Sequence, residues 1–523
     1  MQALLKPDSG FEYQVRTQPQ ALAVMDEKHQ ISFRQLDEHV DAVVAGLKRA
    51  GLGAQDRIAV VAKNRYEMVV LLLAALRGGP VCVPINRRVS TDEMLWIIED
   101  AQCVAVFADA QCAQALDAGL SAQIPQNLRF SLDEGESQWI CFARWLEGQQ
   151  GCSARAVLPL ERAYLQIYTS GTSGRPKGVV LTHGNSLGQL TAILLSVDAD
   201  FRAGESLYEA LPLFHVGGVF ASLWALNRGV SLVLRQEFNP QLTDDMMASG
   251  TVQHAALVPA MIQACLAVSQ PNPAGYGKLK TIMYGASPIS RPVLTDAVAR
   301  YACDFMQVYG MSETHSVISA LTCADHRQIV SAPECPLVAS AGRAVAGTEL
   351  SICDPLGHEL ATGEVGEIRV SSQHVMAGYW NKQSATEEAI REGQLCTGDA
   401  GYLDDNGYLF IVDRLKDIIV TGGENVSSLE VESALLQHPA IDDAAVIGTP
   451  HAQWGEAVTA LIVSADPDLS SDDIQAFCKQ RIGHFKVPKR IEQVAAIPRN
   501  AAGKILKNQL RQQFWEGQDR RVS

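Results

Sequence analysis

The stretch Tyr168-Thr-Ser-Gly-Thr-Ser-Gly-Arg-Pro-Lys-Gly178 packs four Ser/Thr hydroxyls, three glycines and one lysine into eleven residues, directly after an apolar run at 163–167 that reads as a strand. Glycine lets backbone N–H groups approach an anion closely, hydroxyls add donors, and Lys177 adds positive charge, so the segment is suited to holding phosphate. It lacks the GxxxxGK[ST] spacing of a P-loop, because Lys177 stands between Pro176 and Gly178. A plain Ser/Gly linker describes it poorly as well, since Arg175-Pro-Lys interrupts it.

Outward from this segment, strand and helix alternate. Ser32 with Gln35 forms a capping box, and Leu36, Val40, Val43 and Leu47 share one helical face before Gly51 ends the helix. Residues 57–62 read as a buried strand, 66–76 as a helix and 81–85 as another strand, the rhythm of a parallel sheet. Further strand candidates lie at 104–107, 230–234, 279–284 and 305–309, with helix-length segments such as 293–303 between them. From Glu349 the pattern changes to short strands with turns at Gly357, Gly363, Gly366, Gly401 and Gly407, an antiparallel β subdomain. The charged Asp413-Arg-Leu-Lys-Asp417 then separates two apolar strands, and the main boundary is placed there. Residues 1–412 form one domain; residues 413–523 form a smaller unit with helices at 429–436 and 472–481 and strands at 444–447 and 457–463. The expected class is α/β: a large multi-layer N-terminal domain with parallel sheets and a β subdomain, plus a small mobile C-terminal α+β lid.

Composition narrows the function. A 523-residue chain that is 47% hydrophobic and 19% charged is globular, which excludes collagen-like, disordered and disulfide-scaffold classes. The net charge of −15 argues against a duplex-binding surface, and no nucleic-acid partner is expected. Locally the balance reverses: between Lys479 and Arg511 nine basic residues face one acid, Glu492, which fits either an anionic ligand or a solvated surface with helix C-terminal lysines. The 12 cysteines never form CxxC and sit in apolar runs such as Val81-Cys82-Val83, pointing to a reducing, cytoplasmic location. No signal-peptide pattern opens the chain, and its longest apolar run, 68–76, is roughly half a membrane span, so no transmembrane segment is expected. Peripheral membrane contact and the oligomeric state, a homodimer included, are left open.

The phosphate-loop segment resembles the signature loop of the adenylate-forming superfamily, which holds acyl- and aryl-CoA synthetases, peptide-synthetase adenylation domains and luciferases. Seven further motifs match that family's ordered set: Leu211-Pro-Leu-Phe-His215, Tyr284-Gly-Ala-Ser287, Gln307-Val-Tyr-Gly-Met-Ser-Glu-Thr314, Thr397-Gly-Asp399, Asp413-Arg-Leu-Lys-Asp417, Gly422-Gly-Glu-Asn425 and Pro498-Arg-Asn-Ala-Ala-Gly-Lys504. The resemblance covers nearly the whole chain and implies ATP, Mg²⁺ and CoA as cofactors, with a small carboxylic acid as substrate.

Carried over residue by residue, it implies that Thr169, Ser170, Gly171, Thr172, Ser173, Gly174 and Lys177 hold phosphate. Glu313 would bind Mg²⁺ through a hard oxygen, with Ser312 and Thr314 on phosphate oxygens and Gly310 in the same loop. Gly285, Ala286, Ser287 and Tyr309 would line the adenine slot, and Asp399 and Arg414 would anchor the ribose hydroxyls. Lys504 would bridge the substrate carboxylate and the α-phosphate as negative charge builds in the transition state. Lys507, one turn later, reads as a solvated helix lysine. In the second step the lid would rotate about Lys416, bringing Gly422, Gly423 and Trp454 to the pantetheine tunnel, with Lys479, Lys486 and Lys489 meeting the CoA phosphates. Two departures from the family pattern stand out: Gly393-Gln-Leu-Cys396, where many relatives have an aromatic, and Ser427-Ser428 in place of a frequent Tyr-Pro.

His215 would gate the acyl pocket, whose expected lining, Val216-Gly-Gly-Val-Phe220 with Val258, Pro259, Met261, Gly285 and Met311, is uncharged. Peptide-synthetase domains place an aspartate near this region and this chain has none, so an amino acid is disfavoured. The expected activity is an AMP-forming acid-CoA ligase acting on a hydrophobic, fatty monocarboxylate. The alternatives are an aryl or alicyclic acid, or a carrier protein in place of CoA.

Overall fold

The computed structural model describes residues 6–120, 124–135, 138–149, 158–169, 175–268, 273–332, 334–466, 469–499 and 504–515. The βαβ rhythm read as one succession is divided between two large sheets. In the first, Leu22–Met25, Ser231–Leu234, Ser206–Glu209, His254–Leu257, Thr281–Gly285 and Asp304–Tyr309 run parallel in that spatial order, with antiparallel strands at both edges, nine in all. In the second, eight-stranded sheet, Arg57–Val61 lies between Val81–Pro84 and Cys103–Ala108, and Ala163–Thr169 joins Val81–Pro84.

The largest core lies where the helices of these sheets meet. Every residue of Tyr66–Leu76 is buried, which explains why the segment is apolar on all sides rather than striped. Val216–Arg228 packs into the same core through Val219, Phe220, Leu223, Trp224 and Leu226. The Ser32/Gln35 capping box forms as its spacing predicts: Gln35 N donates to Ser32 Oγ at 3.2 Å and Ser32 N to Gln35 Oε1 at 2.9 Å. The described cysteines are free thiols, most of them buried. Among the described residues no helix is long and apolar enough to cross a membrane.

A third, five-stranded antiparallel sheet carries Thr348–Cys353, Gly366–Ser372, Gln394–Leu403 and Leu409–Arg414, the subdomain anticipated from its glycine turns. Its last strand runs through Asp413 and Arg414, placing Ala400 opposite Asp413 and Asp399 opposite Arg414. The remaining module is a five-stranded sheet in which Asp443–His451 and Gly455–Val463 form a long hairpin. The helices Ser428–Leu435, Ser471–Lys479 and Lys507–Trp515 accompany it.

Candidate active site

The residues expected to anchor a nucleoside meet on facing strands. Asp399 is 4% exposed; its Oδ1 lies 2.6 Å from Arg414 Nε, and its Oδ2 accepts a 2.6 Å bond from Tyr309 Oη. Register alone puts Asp399 opposite Arg414, but Tyr309 arrives from the parallel sheet, so two sheets meet at this carboxylate. Burial, with the Asp399 charge beside it, pushes the Tyr309 phenol well above its ordinary range, so it remains a neutral donor. Gly285 ends the neighbouring strand, where a Cβ would stand 2.5 Å from Val308 O. Ala286 follows at φ 69°, turning the chain at once, and Ser287 is half-buried.

Glu313 lies in the short turn Ser312–Thr314, held from both backbone and side chain: Met376 N donates to its carbonyl at 2.8 Å and Tyr379 Oη to its Oε1 at 2.9 Å. Lys177 Nζ stands 5.0 Å from the Tyr379 ring centre, which joins this carboxylate to the stem of the phosphate segment. That stem is an antiparallel pair in which Thr169 faces Lys177. Ser170, Gly171, Thr172, Ser173 and Gly174 lie outside the described residues. Tyr379 carries no signal in the sequence that links it to Glu313. Its place follows from Gly378–Tyr379 pairing with Val179 and Val180 at the sheet edge.

Within the same loop, Gly310 admits no side chain, because a Cβ would fall 1.4 Å from Ser316 O. Ser312 is half-buried. Thr314 requires a correction. It is fully buried, its hydroxyl donates to Met311 O and accepts from Met311 N, both at 3.1 Å, and so it caps its own turn rather than reaching phosphate.

These residues fit a magnesium ion shared with a polyphosphate. Glu313 is a 7% exposed carboxylate with no ion-pair partner within 4 Å among the described residues, and Mg²⁺ is commonly held by one carboxylate together with substrate phosphates. Among the described residues no group of three or more His, Cys, Asp and Glu could bind a metal unaided.

Lys504 comes from the other module to the neighbourhood of Asp399 and Arg414. An antiparallel bridge pairs Arg499 with Ile505, and Leu506 N donates to Pro498 O at 2.9 Å, so Lys504 stands immediately before this bridged pair. Lys504 keeps exposed surface, yet the surrounding protein desolvates its ammonium and pushes its pKa down to about 8. Arg414 and Lys416 add to the fall; Asp399 and Asp417 oppose it. Lys416 itself is exposed in the single turn Leu415–Asp417.

His215 precedes the helix Val216–Arg228. Its Nε2 is buried without a hydrogen-bond partner, and burial with the nearby Arg88 charge lowers its pKa to about 4, so it is neutral at pH 7. Beside it, the two glycines of the expected pocket wall differ: a Cβ on Gly218 would stand 2.6 Å from Pro212 O, while one on Gly217 would meet nothing within 4 Å. Val216, Val258 and Pro259 are buried; Met261 and Met311 are half-buried.

The residues expected to serve the second step form a separate cluster on the small module. Gly422 and Gly423, at φ 61° and 86°, make the two-residue turn of the hairpin Ile419–Thr421 and Glu424–Val426, and Gly422 N donates to Trp454 O at 2.9 Å. Trp454 stacks on His451 at 4.3 Å and lies 5.8 Å from Lys489 Nζ.

Two charge readings are revised. Lys507 is no solvated lysine: it is 8% exposed, with Nζ 2.7 Å from Glu432 and 2.5 Å from Ser428 Oγ. The basic run 479–511 is also largely neutralised within its own module, where Lys486 pairs with Glu430, Arg490 with Glu492, Arg499 with Asp443 and Arg511 with Asp417. A window in sequence counted the bases and missed acids that lie up to a hundred positions away.

The family profile described as AMP-binding enzyme matches residues 11–380, and that of the AMP-binding enzyme C-terminal domain matches residues 430–504. The chain is 32% identical to the fatty acid–[acyl-carrier-protein] ligase ScoC of Streptomyces coeruleorubidus, over 98% of this chain and 97% of that one. Its fold is similar to ATP-bound MatB from Rhodopseudomonas palustris, with TM-score 0.87, 27% identity and coverage of 98% and 99% of the two chains. It is also similar to the o-succinylbenzoate CoA synthetase MenE from Bacillus subtilis in complex with the acyl-adenylate intermediate OSB-AMP, with TM-score 0.82, 28% identity and coverage of 96% and 97%. Matched in both of its modules and along nearly its whole length, this chain belongs to the AMP-binding enzymes, the adenylate-forming superfamily of acyl- and aryl-acid ligases.

Proposed function

We propose that this chain is an ATP-dependent acid–CoA ligase acting on a hydrophobic, fatty monocarboxylate. The observation that carries this reading is Lys504, brought by the small module close enough to the Asp399–Arg414–Tyr309 cluster to feel the charges of Asp399 and Arg414. A mobile cation belongs there if a carboxylate must approach a phosphate, since two anions repel.

In the first step a carboxylate oxygen attacks the α-phosphorus of ATP, and the bond to pyrophosphate breaks. Asp399 accepts from the ribose hydroxyls while Arg414 and Tyr309 hold its carboxylate in place. Lys504 carries positive charge to the approaching carboxylate and α-phosphate, and Lys177 adds charge at the phosphate stem. Glu313 would hold Mg²⁺, whose charge neutralises the phosphates. In the second step the module turns about Lys416, and the CoA thiolate attacks the acyl carbonyl with AMP leaving. Gly422, Gly423 and Trp454 then line the thiol's path, which is consistent with their clustering away from Lys504 in sequence and contact.

A neutral His215 followed by the uncharged Val216 and Gly217 supports an apolar acid, with Arg88 the nearby cation that a second carboxylate would have to use. Two similarities keep specific alternatives in view. That to ScoC favours an acyl-carrier protein as the thiol acceptor, and that to MenE favours an aryl acid.

Pyrophosphate release decides among these when measured across short, medium and long fatty acids, benzoates, 2-succinylbenzoate and amino acids, each alone, with CoA and with a phosphopantetheinylated carrier protein. CoA-stimulated turnover of a fatty acid is expected. Turnover confined to aryl acids would move the substrate, stimulation by carrier protein alone would move the acceptor, and no pyrophosphate from any acid would refute the ligase.

A further inference from the structure

The corrected position of Lys507 bears on how Lys504 is aimed. Lys507 opens the helix Lys507–Trp515, three residues after Lys504. Its ammonium donates to Ser428 Oγ at 2.5 Å, and Ser428 in turn donates from both N and Oγ to Asp413 Oδ2, each at 2.6 Å. Ser428 and Asp413 are 0% and 2% exposed. Glu432, 6% exposed, lies 2.7 Å from Lys507 and accepts from Val446 N at 2.8 Å, which fixes it to the sheet of the small module. Every member of the chain of contacts is therefore buried and partnered, the condition under which a charged network holds one geometry.

Its two ends lie on different modules. Asp413 belongs to the strand Leu409–Arg414 of the β subdomain and immediately precedes Arg414, the residue on Asp399. Ser428 and Lys507 belong to the module beyond the Leu415–Asp417 turn. One turn along the same helix, Arg511 pairs directly with Asp417 at 2.7 Å, while Lys507 reaches Asp413 through Ser428, so both aspartates at the ends of the hinge pentapeptide are tied to this helix. Only the Asp413 grip crosses the pivot at Lys416; the Asp417 grip lies wholly beyond it.

We propose that Lys507 and Ser428 are positioning residues for the first half-reaction: the relay Lys507–Ser428–Asp413 ties the segment that starts at Lys504 to the strand that bears Arg414, and its Ser428–Asp413 link is a latch that opens when the lid turns. This rests on the reading of Lys504 given above. It also gives a use to Ser427-Ser428, where a Tyr-Pro would supply neither the N–H nor the hydroxyl that Asp413 accepts here.

The test separates the half-reactions, using the acid that the wild-type enzyme turns over fastest in the panel above. Lys507→Met should lower pyrophosphate release on the order of 100-fold, while thioester formation from supplied acyl-adenylate and CoA stays within about threefold of wild type or rises. Ser428→Ala, which keeps the Lys507–Glu432 pair and one Asp413 bond, should show the same asymmetry at smaller size, and it carries the test should Lys507→Met unfold the lid. Equal loss in both half-reactions, or loss in neither, overturns the relay. Lys504→Ala, run alongside, tests the parent reading: if pyrophosphate release survives it, the assignment of Lys504 fails independently of the relay. Should the wild-type enzyme release no pyrophosphate at all, hydrogen exchange decides. Lys507→Met must then raise exchange at 504–510 and leave the strands Asp443–His451 and Gly455–Val463 protected; unchanged exchange at 504–510 overturns the relay.

Discussion

Raising the pH from 7 to 9 should slow adenylation about tenfold through Lys504 alone. With a pKa of about 8, its cationic fraction falls from about 0.9 to about 0.1 across that interval. The sign follows from the causes: burial disfavours the ammonium, Arg414 and Lys416 repel it, and Asp399 and Asp417 only partly compensate, so the useful charge is lost earlier than for an ordinary lysine. The assay is pyrophosphate release without CoA, which keeps the thiol's own ionisation out of the profile. The profile of kcat/KM reports the free enzyme and should bend near pH 8. At saturating ATP the bound phosphates favour the ammonium, and the bend in kcat should move to higher pH. Two neighbouring substitutions must shift the bend in opposite directions. Asp399→Asn removes a stabilising anion and moves it down, whereas Arg414→Gln removes a repelling cation and moves it up, although the two groups are 2.6 Å apart. A profile flat to pH 10, or an Asp399→Asn bend that moves up, would refute the assignment of charge at Lys504.

Three further outcomes are expected. Tyr379→Phe should raise the Mg²⁺ concentration for half-maximal pyrophosphate release about tenfold, and Glu313→Gln further still; magnesium curves superimposable on wild type would remove both from the metal site. Gly310→Ala should destabilise the protein by about 1–3 kcal/mol, at the upper end of overpacking costs because the obstructing atom is a backbone oxygen, as read by denaturant midpoint against a Gly217→Ala control. Gly217→Val, placed where a side chain meets open space, should leave the melting temperature in place and narrow the accepted acids towards smaller ones; an unchanged acid profile would show that Gly217 does not face the pocket.

The parts of this protein legible in its sequence are those set by local backbone demands. The strand that runs up to Thr169 and the capping box at Ser32 are each fixed within a few residues of themselves. The change from parallel to antiparallel patterning near Glu349 was legible for the same reason, since side-chain alternation and turn chemistry are short-range. Even Asp399 opposite Arg414 follows from two adjacent strands in one sheet.

What the tertiary structure alone decided is which charges meet. A sequence window shows nine basic residues at the C-terminus and suggests an anion site, because the carboxylates that neutralise them, Glu430, Glu432, Asp443 and Asp417, lie far away along the chain. Thr314 has the look of a phosphate ligand until burial shows its hydroxyl turned back on Met311, and Tyr379 has no local mark at all until a sheet edge brings it to Glu313. Lys504 and Lys507 are both lysines on one short segment, and only the folded chain separates the exposed one near Asp399 and Arg414 from the one sealed against Glu432 and Ser428. The physical reason is common to all of these: backbone conformation is a local property, whereas the free energy of a charge depends on whatever the fold places within a few ångströms of it.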